Sequence, residues 1–184
     1  MRYIVLAILL NSCMSIGQLK DNKNPIWKPP ASNYKNLKKA YFASGCFWCV
    51  EAVFESVKGV YEVYSGYSGG YLKNPTYTQI GTGRTGHAEA VEVLYNDEEI
   101  GYGTLLQVFF GSHDPTTLNR QGPDIGTQYR SEIFFTNNYQ KEIAEKIKSR
   151  FNLKYNGKII TKISGEKNYC KAEEYHQKYI QKRN

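Results

Sequence analysis

From Lys39 onward, short segments of strand period and segments of helix period follow one another at close intervals, and this alternation limits the fold more than any other feature. Tyr41 to Ser44 predicts a short strand running into Gly45, and Cys46 to Val57 predicts a helix with Phe47, Val50 and Phe54 on one face. Strands are expected over Val60 to Tyr67, Ala88 to Tyr95, Glu132 to Thr136 and Lys158 to Ile163. Helices are expected over Tyr102 to Gly111, Tyr139 to Phe151 and Ala172 to Lys182, and the glycine-rich stretch Gly66 to Gly86 reads as a long loop. The pattern implies an α+β or α/β domain, one sheet with helices packed on it, filling residues 39–184.

The beginning of the chain has a different character. Met1 and Arg2 precede an apolar run, Tyr3 to Leu10, that is too short to span a bilayer and has the form of a secretory signal. Within residues 1–17, two endings are possible. Leu10-Asn11-Ser12-Cys13 resembles a lipobox, which makes Cys13 a lipidation candidate, and Ser15-Ile16-Gly17 offers an ordinary cut before Gln18. Either ending exports the protein, to the periplasm or to a lipid anchor on a bacterial envelope. Residues 18–38, rich in Asn and Pro, read as a linker or wrapping arm.

The net charge is +7, and the excess lies in residues 141–184, which hold 12 basic and 5 acidic side chains. There Lys141 to Lys148 alternate with Glu142 and Glu145 around Ile143, Ile147 and Phe151, the pattern of a solvated helix face over a core contact rather than a nucleic-acid surface. No interface signal appears, so a monomer is expected.

Chemistry concentrates at Gly45-Cys46-Phe47-Trp48-Cys49. A cysteine at the first turn of a helix meets unpaired N–H groups and the positive end of the helix dipole, which favour the thiolate. Cys49, three residues on, is close enough for a disulfide with Cys46. Redox chemistry, a structural disulfide and half of a zinc site all fit such a pair. Zinc fits worst, because His87, His113, His176 and Cys170 are scattered. In the strand Ala88 to Tyr95, Glu89 shares a face with Val91, Val93 and Tyr95. Burial there raises its pKa and keeps an acid available to protonate a departing oxygen, whereas an edge position leaves it in water. Asp114 before Pro115 suits a turn, and His176 has no evident partner.

Several longer motifs then point to one family. Gly45 to Trp48 with Glu51, Gly66 to Gly70, Asn74 to Tyr77, Thr85 to Val91, His113 to Pro115, Arg120 to Asp124, Gly126 to Ser131 and Ala172 to Gln177 resemble, in order, the A-type peptide methionine sulfoxide reductases. The resemblance implies a two-layer α/β sandwich related to the ferredoxin-like plait. It implies that Cys46 attacks the sulfur of a methionine (S)-sulfoxide and becomes a sulfenic acid, with Glu89 as general acid. Phe47 and Trp48 then wall the substrate methyl group, Tyr77 and Tyr129 bind the sulfoxide oxygen, and Asp124 organises the site. No metal or other cofactor is implied, and a thioredoxin-like reductant completes the cycle.

The chain departs from the family where recycling is concerned. Cys49 stands where many members carry Gly, the Gly-rich C-terminal tail with resolving cysteines is missing, and Cys170 replaces an aromatic. Cys49 is the expected resolving thiol and Cys170 the alternative. A thioredoxin-like thiol-disulfide oxidoreductase also accounts for Cys46 and Cys49 but not for Glu89, and a second alternative is a non-catalytic lipoprotein whose cysteines are structural.

Overall fold

The computed structural model describes residues 36–183, so the signal reading of residues 1–17, Cys13 and most of the arm at 18–38 lie outside the described residues. The elements run β1 (Lys38–Ser44), α1 (Phe47–Glu55), β2 (Val60–Ser68), α2 (Tyr77–Gly81), β3 (Ala88–Tyr95), α3 (Tyr102–Gly111), β4 (Arg120–Gln121), β5 (Asp124–Ile125), a 3-10 turn (Thr127–Tyr129), β6 (Ser131–Phe135), α4 (Asn138–Lys154), β7 (Lys162–Gly165), β8 (Cys170–Lys171), a second 3-10 turn (Glu174–His176) and α5 (Tyr179–Arg183). Six strands form one mixed sheet in the order β7-β6-β1-β3-β2-β8, and β4 and β5 form a separate hairpin. Among the described residues only β6 and β7 run parallel; β1 is antiparallel to β3 and β6, and β2 to β3 and β8.

Strand alternation sends Ala40 and Phe42 of β1, Val63 of β2, Val91 and Val93 of β3 and Ile133 of β6 into one core beneath the helices. Phe47, Val50 and Phe54 of α1 and Leu105, Leu106, Phe109 and Phe110 of α3 meet them there. Phe42 stacks with Phe54 at 4.9 Å and with Phe109 at 5.4 Å between ring centroids, so both helices are fixed to β1. The opposite face carries a smaller cluster of Tyr41, Ala43, Ala88, Ala90 and Phe134, with Tyr169 packed against it. This is the expected α+β sandwich.

Three expected segments differ. The loop over residues 66–86 contains α2, started by a capping box in which Gln79 N–H donates to Thr76 Oγ1 and Thr76 N–H to Gln79 Oε1. Strand β7 begins only at Lys162, because the N–H groups of Ile159 and Ile160 are taken by Asn152 Oδ1 and the Pro115 carbonyl. The helix expected over Ala172 to Lys182 is broken in two. Gln177 is extended with ψ 134°, and Lys178 has φ 55°. Tertiary contacts outweigh the helical spacing there. Lys178 N–H donates to Glu51 Oε2 at 2.9 Å, its ammonium pairs with Glu55 and Glu62, and the Gln177 amide bonds both backbone groups of Ser65.

Candidate active site

The ends of β1 and β2 and the starts of β3 and β6 lie together at one end of the sheet, since Ser44 pairs with Ser131 and Ser68 with Ala88. Gly45 turns the chain from β1 into α1 with φ 95°, and a Cβ there would lie 2.6 Å from Gln121 Cβ. Only glycine fits both the conformation and the space. Cys46 follows as the N-cap of α1, its carbonyl accepting from Cys49 N–H at 3.1 Å and Val50 N–H at 3.2 Å.

Glu89, 2% exposed at the start of β3, lies beneath this helix end. Its Oε2 accepts the Phe47 N–H at 3.0 Å, so one of the orphan donors of α1 is satisfied by the carboxyl that faces the thiol. Burial pushes the Glu89 carboxyl up to about 7, the Phe47 N–H opposes this, and Asp124 adds to it. The expectation of a buried, raised carboxyl on the core face of this strand holds.

The expected thiolate does not. Burial pushes the Cys46 thiol up to about 11 and the charge of Glu89 adds to this, against the N–H groups of Cys49 and Trp48 that pull it down. Desolvation and a facing carboxylate outweigh the helix N-terminus, so Cys46 rests as a thiol. Cys46 and Cys170 are both free thiols, whereas Cys49 is disulfide-bonded.

Tyr77 at the start of α2 and Tyr129 in the 3-10 turn reach the same place. Burial raises both phenols, Tyr129 to about 12, and the charges of Glu89 and Cys46 raise both further. Both remain protonated donors. The turn that carries Tyr129 is held by Arg130, which pairs with Glu132 at 2.5 Å and donates to the carbonyls of Thr127 and Gly86. Asp124 in β5 is half-buried, which raises its carboxyl, and its charge acts on Cys46, Glu89 and Tyr129.

An aromatic wall closes one side. Phe47 lies 6.0 Å from Tyr77 and 5.9 Å from Trp48, and Trp48 stacks on Tyr179 at 3.8 Å with 10° between planes. His176 completes it, buried 4.3 Å from Tyr77 and accepting the Trp48 Nε1–H on Nδ1 at 3.0 Å. Trp48 is thereby its partner, which sequence reasoning did not supply. Glu173, Tyr67 and Tyr179 were missed as well. The motif Ala172 to Gln177 was the available signal, but it gave no hint of which side chains turn inward.

The other polar candidates are structural. His113 is buried between the Phe109 carbonyl and Ser131 Oγ, and burial pushes it down to about 4. His87 bonds the Leu72 carbonyl, and Asp114 Oδ1 accepts from Thr116 N–H and Oγ1–H in a turn. Cys170 in β8 pairs with Tyr67, which in turn pairs with Glu89. Among the described residues, no group of three or more His, Cys, Asp or Glu side chains could hold a metal ion.

The site therefore joins a thiol, a carboxyl that holds its proton near neutral pH, two phenol donors and an apolar wall. That set can reduce a small polar S=O or similar group bearing an apolar substituent. Comparison with known proteins agrees. The family described as Peptide methionine sulfoxide reductase matches residues 38–184. The peptide methionine sulfoxide reductase MsrA of Pelagibacter ubique is 51% identical over 147 residues, 80% of this chain and 100% of that protein. That of Methanothermobacter thermautotrophicus is 50% identical over 149 residues, 79% and 87% of the two chains. Among solved structures, the reduced form of Mxr1 from Saccharomyces cerevisiae has a TM-score of 0.76 at 36% identity, covering 86% of this chain and 90% of that one. The structure of Mxr1 in complex with Trx2 has a TM-score of 0.58 at 28% identity, covering 85% and 91%. With this agreement along nearly all of the folded region, the chain belongs to the A-type peptide methionine sulfoxide reductase family.

Proposed function

We propose that the protein reduces methionine (S)-sulfoxide in oxidised proteins or peptides, with Cys46 as nucleophile and Glu89 as general acid. The observation that carries this reading is the Glu89 carboxyl, buried beneath the N-terminus of α1 and protonated near neutral pH beside the thiol. The sulfoxide methyl group packs on Phe47 and Trp48, while Tyr77 and Tyr129 donate hydrogen bonds to the oxygen and Asp124 supports the field around it. Cys46 sulfur attacks the sulfoxide sulfur as Glu89 gives its proton to the oxygen, and the proton of the thiol returns to Glu89. The hydroxyl ends on Cys46. One thiol and one sulfoxide become one sulfenic acid and one thioether, so the substrate sulfur is reduced, Cys46 is oxidised and no outside electron is used.

A second thiol then condenses with the sulfenic acid, releasing water and forming a disulfide. Cys49, in its thiol state, is assigned this role by its spacing from Cys46, with Cys170 as the alternative. A thioredoxin-like dithiol reduces that disulfide; the Mxr1 complex with Trx2 is the supporting case. The apolar segment at residues 3–10 supports export, with Cys13 acylated or the signal cut before Gln18, and the protein acts as a monomer without nucleic acid. Cell fractionation and the mass of the mature N-terminus test the export reading: protein in the cytosol with an intact Met1 contradicts it.

The chemistry is tested by a single turnover without reductant, starting from fully reduced protein. One methionine per active site is expected from the wild type and none from Cys46→Ser. Loss of a second thiol is expected to fail only in Cys49→Ser; failure only in Cys170→Ser moves the resolving role to Cys170. No product from the reduced wild type contradicts the reductase reading and favours a disulfide carrier.

A further inference from the structure

Helix α2 has five residues, Tyr77–Gly81, too few to hold itself in place. Its first residue carries the phenol assigned to the sulfoxide oxygen. The direction of that phenol must therefore be set from outside the helix. Thr76 and Gln79 satisfy each other in the capping box, and the buried Ile80 anchors the far side. The Tyr77 N–H instead leaves the helix and donates to Glu173 Oε1 at 3.0 Å.

Glu173 belongs to the C-terminal segment, between β8 and the second 3-10 turn. Its second oxygen, Oε2, accepts the Tyr67 O–H at 2.8 Å. Tyr67 is itself the β2 partner of Glu89 and lies 5.8 Å from Phe47. One carboxylate thus ties together α2, the β2 position beside the general acid, and the chain that carries His176. We propose that Glu173 is a positioning residue for sulfoxide reduction: by holding the Tyr77 N–H and the Tyr67 O–H at once, it aims the Tyr77 phenol at the sulfoxide oxygen. The inference rests on the assignment of Tyr77 to that oxygen.

Geometry and charge agree. Burial alone raises the Glu173 carboxyl, yet the Tyr77 N–H, its own backbone N–H, the Tyr67 O–H and His176 together hold it below the usual range, so the anion that makes both contacts is the form present at neutral pH. A misaim of about 1 Å at such a group is enough to cost on the order of 10-fold or more in rate.

The test is a double-mutant cycle read by single-turnover rate at saturating methionine (S)-sulfoxide. Glu173→Ala is expected to slow the wild type about tenfold but to slow Tyr77→Phe less than about twofold, because the phenol it aims is already gone. Glu173→Gln keeps an acceptor for the Tyr77 N–H and is expected to lose only about threefold, again only when the Tyr77 hydroxyl is present. A merely structural role gives the same loss in both backgrounds. That result, or no loss in either, overturns the proposal. Should Glu173→Ala not fold, Glu173→Gln in the two backgrounds decides alone. If Tyr77→Phe by itself leaves the rate unchanged, the assignment of Tyr77 fails and the inference falls with it; if Tyr77→Phe is slow and the Glu173 losses add, only the inference fails.

Discussion

At Glu89, catalysis and stability pull in opposite directions. A carboxyl buried among Phe47 and the β3 core retains its proton to about pH 7, and in the proposed mechanism that proton goes to the departing oxygen. Because its folded pKa is raised, the native state holds a proton that the unfolded chain has lost, so stability falls as pH rises from the unfolded value toward 7 and stays lowered above it. Glu89→Gln keeps an acceptor for the Phe47 N–H and removes the ionisation. We expect it to be more stable than the wild type at pH 8, by about 1–3 kcal/mol in urea unfolding, and equal to it near pH 4. Equal stabilities at pH 8 would show that the carboxyl is not held away from water. The position of Glu89 was legible in the sequence, since period-two alternation is local. The protonation of Cys46 was not. The helix N-terminus can be read from neighbouring residues, but the opposing burial and charge come from a strand distant in sequence.

At the scale of elements, the C-terminal segment does with side chains what a strand does with its backbone. Strand β8 covers only Gly66 and Tyr67 on the outer edge of β2. Beyond it the Gln177 amide continues the pairing, accepting the Ser65 N–H at 3.0 Å and donating to the Ser65 carbonyl at 2.9 Å. Gln177→Ala strands the buried Ser65 N–H, leaves the Ser65 carbonyl accepting from the Ala172 N–H at 2.9 Å, and loosens the chain that holds Glu173 and His176. Denaturant titration is expected to show a loss of about 1–3 kcal/mol, with a raised KM for sulfoxide because Trp48 loses its support. An unchanged midpoint would mean that the segment is held by its other contacts alone. Strands β1, β2, β3 and β6 and helices α1, α3 and α4 were readable from their local periods, whereas β7 was expected four residues early and the two-residue strands β4, β5 and β8 carry too few residues to show a period. The end of the chain was not readable, because Gln177 and Lys178 obey Ser65, Glu51, Glu55 and Glu62 rather than their own neighbours.

Across the whole molecule, the topology gathers residues that are far apart in sequence. Cys46 comes from the β1 to α1 turn, Tyr77 from α2, Glu89 from β3, Asp124 from the β4–β5 hairpin and Tyr129 from the turn before β6. Composition and alternation narrowed the class to α+β or α/β, but the strand order could not be read from them, since pairings such as β1 with β6 join segments separated by much of the chain. The candidate site residues were legible through the resemblance of their motifs, and the geometry brings Cys46, Phe47, Trp48, Tyr77, Glu89, Asp124 and Tyr129 to one end of the sheet. In the proposed mechanism the proton on Glu89 moves in the step that breaks the S=O bond. The most direct test of this is the pH dependence of the single-turnover rate for the wild type and Glu89→Gln. The wild-type rate is expected to titrate near pH 7, falling as the pH rises, because the acid form is the active one. Glu89→Gln is expected to be slower by about 10²–10⁴-fold and to lack that titration. A wild-type rate that stays flat from pH 6 to about 9, or a variant that keeps the same profile and rate, would contradict the account.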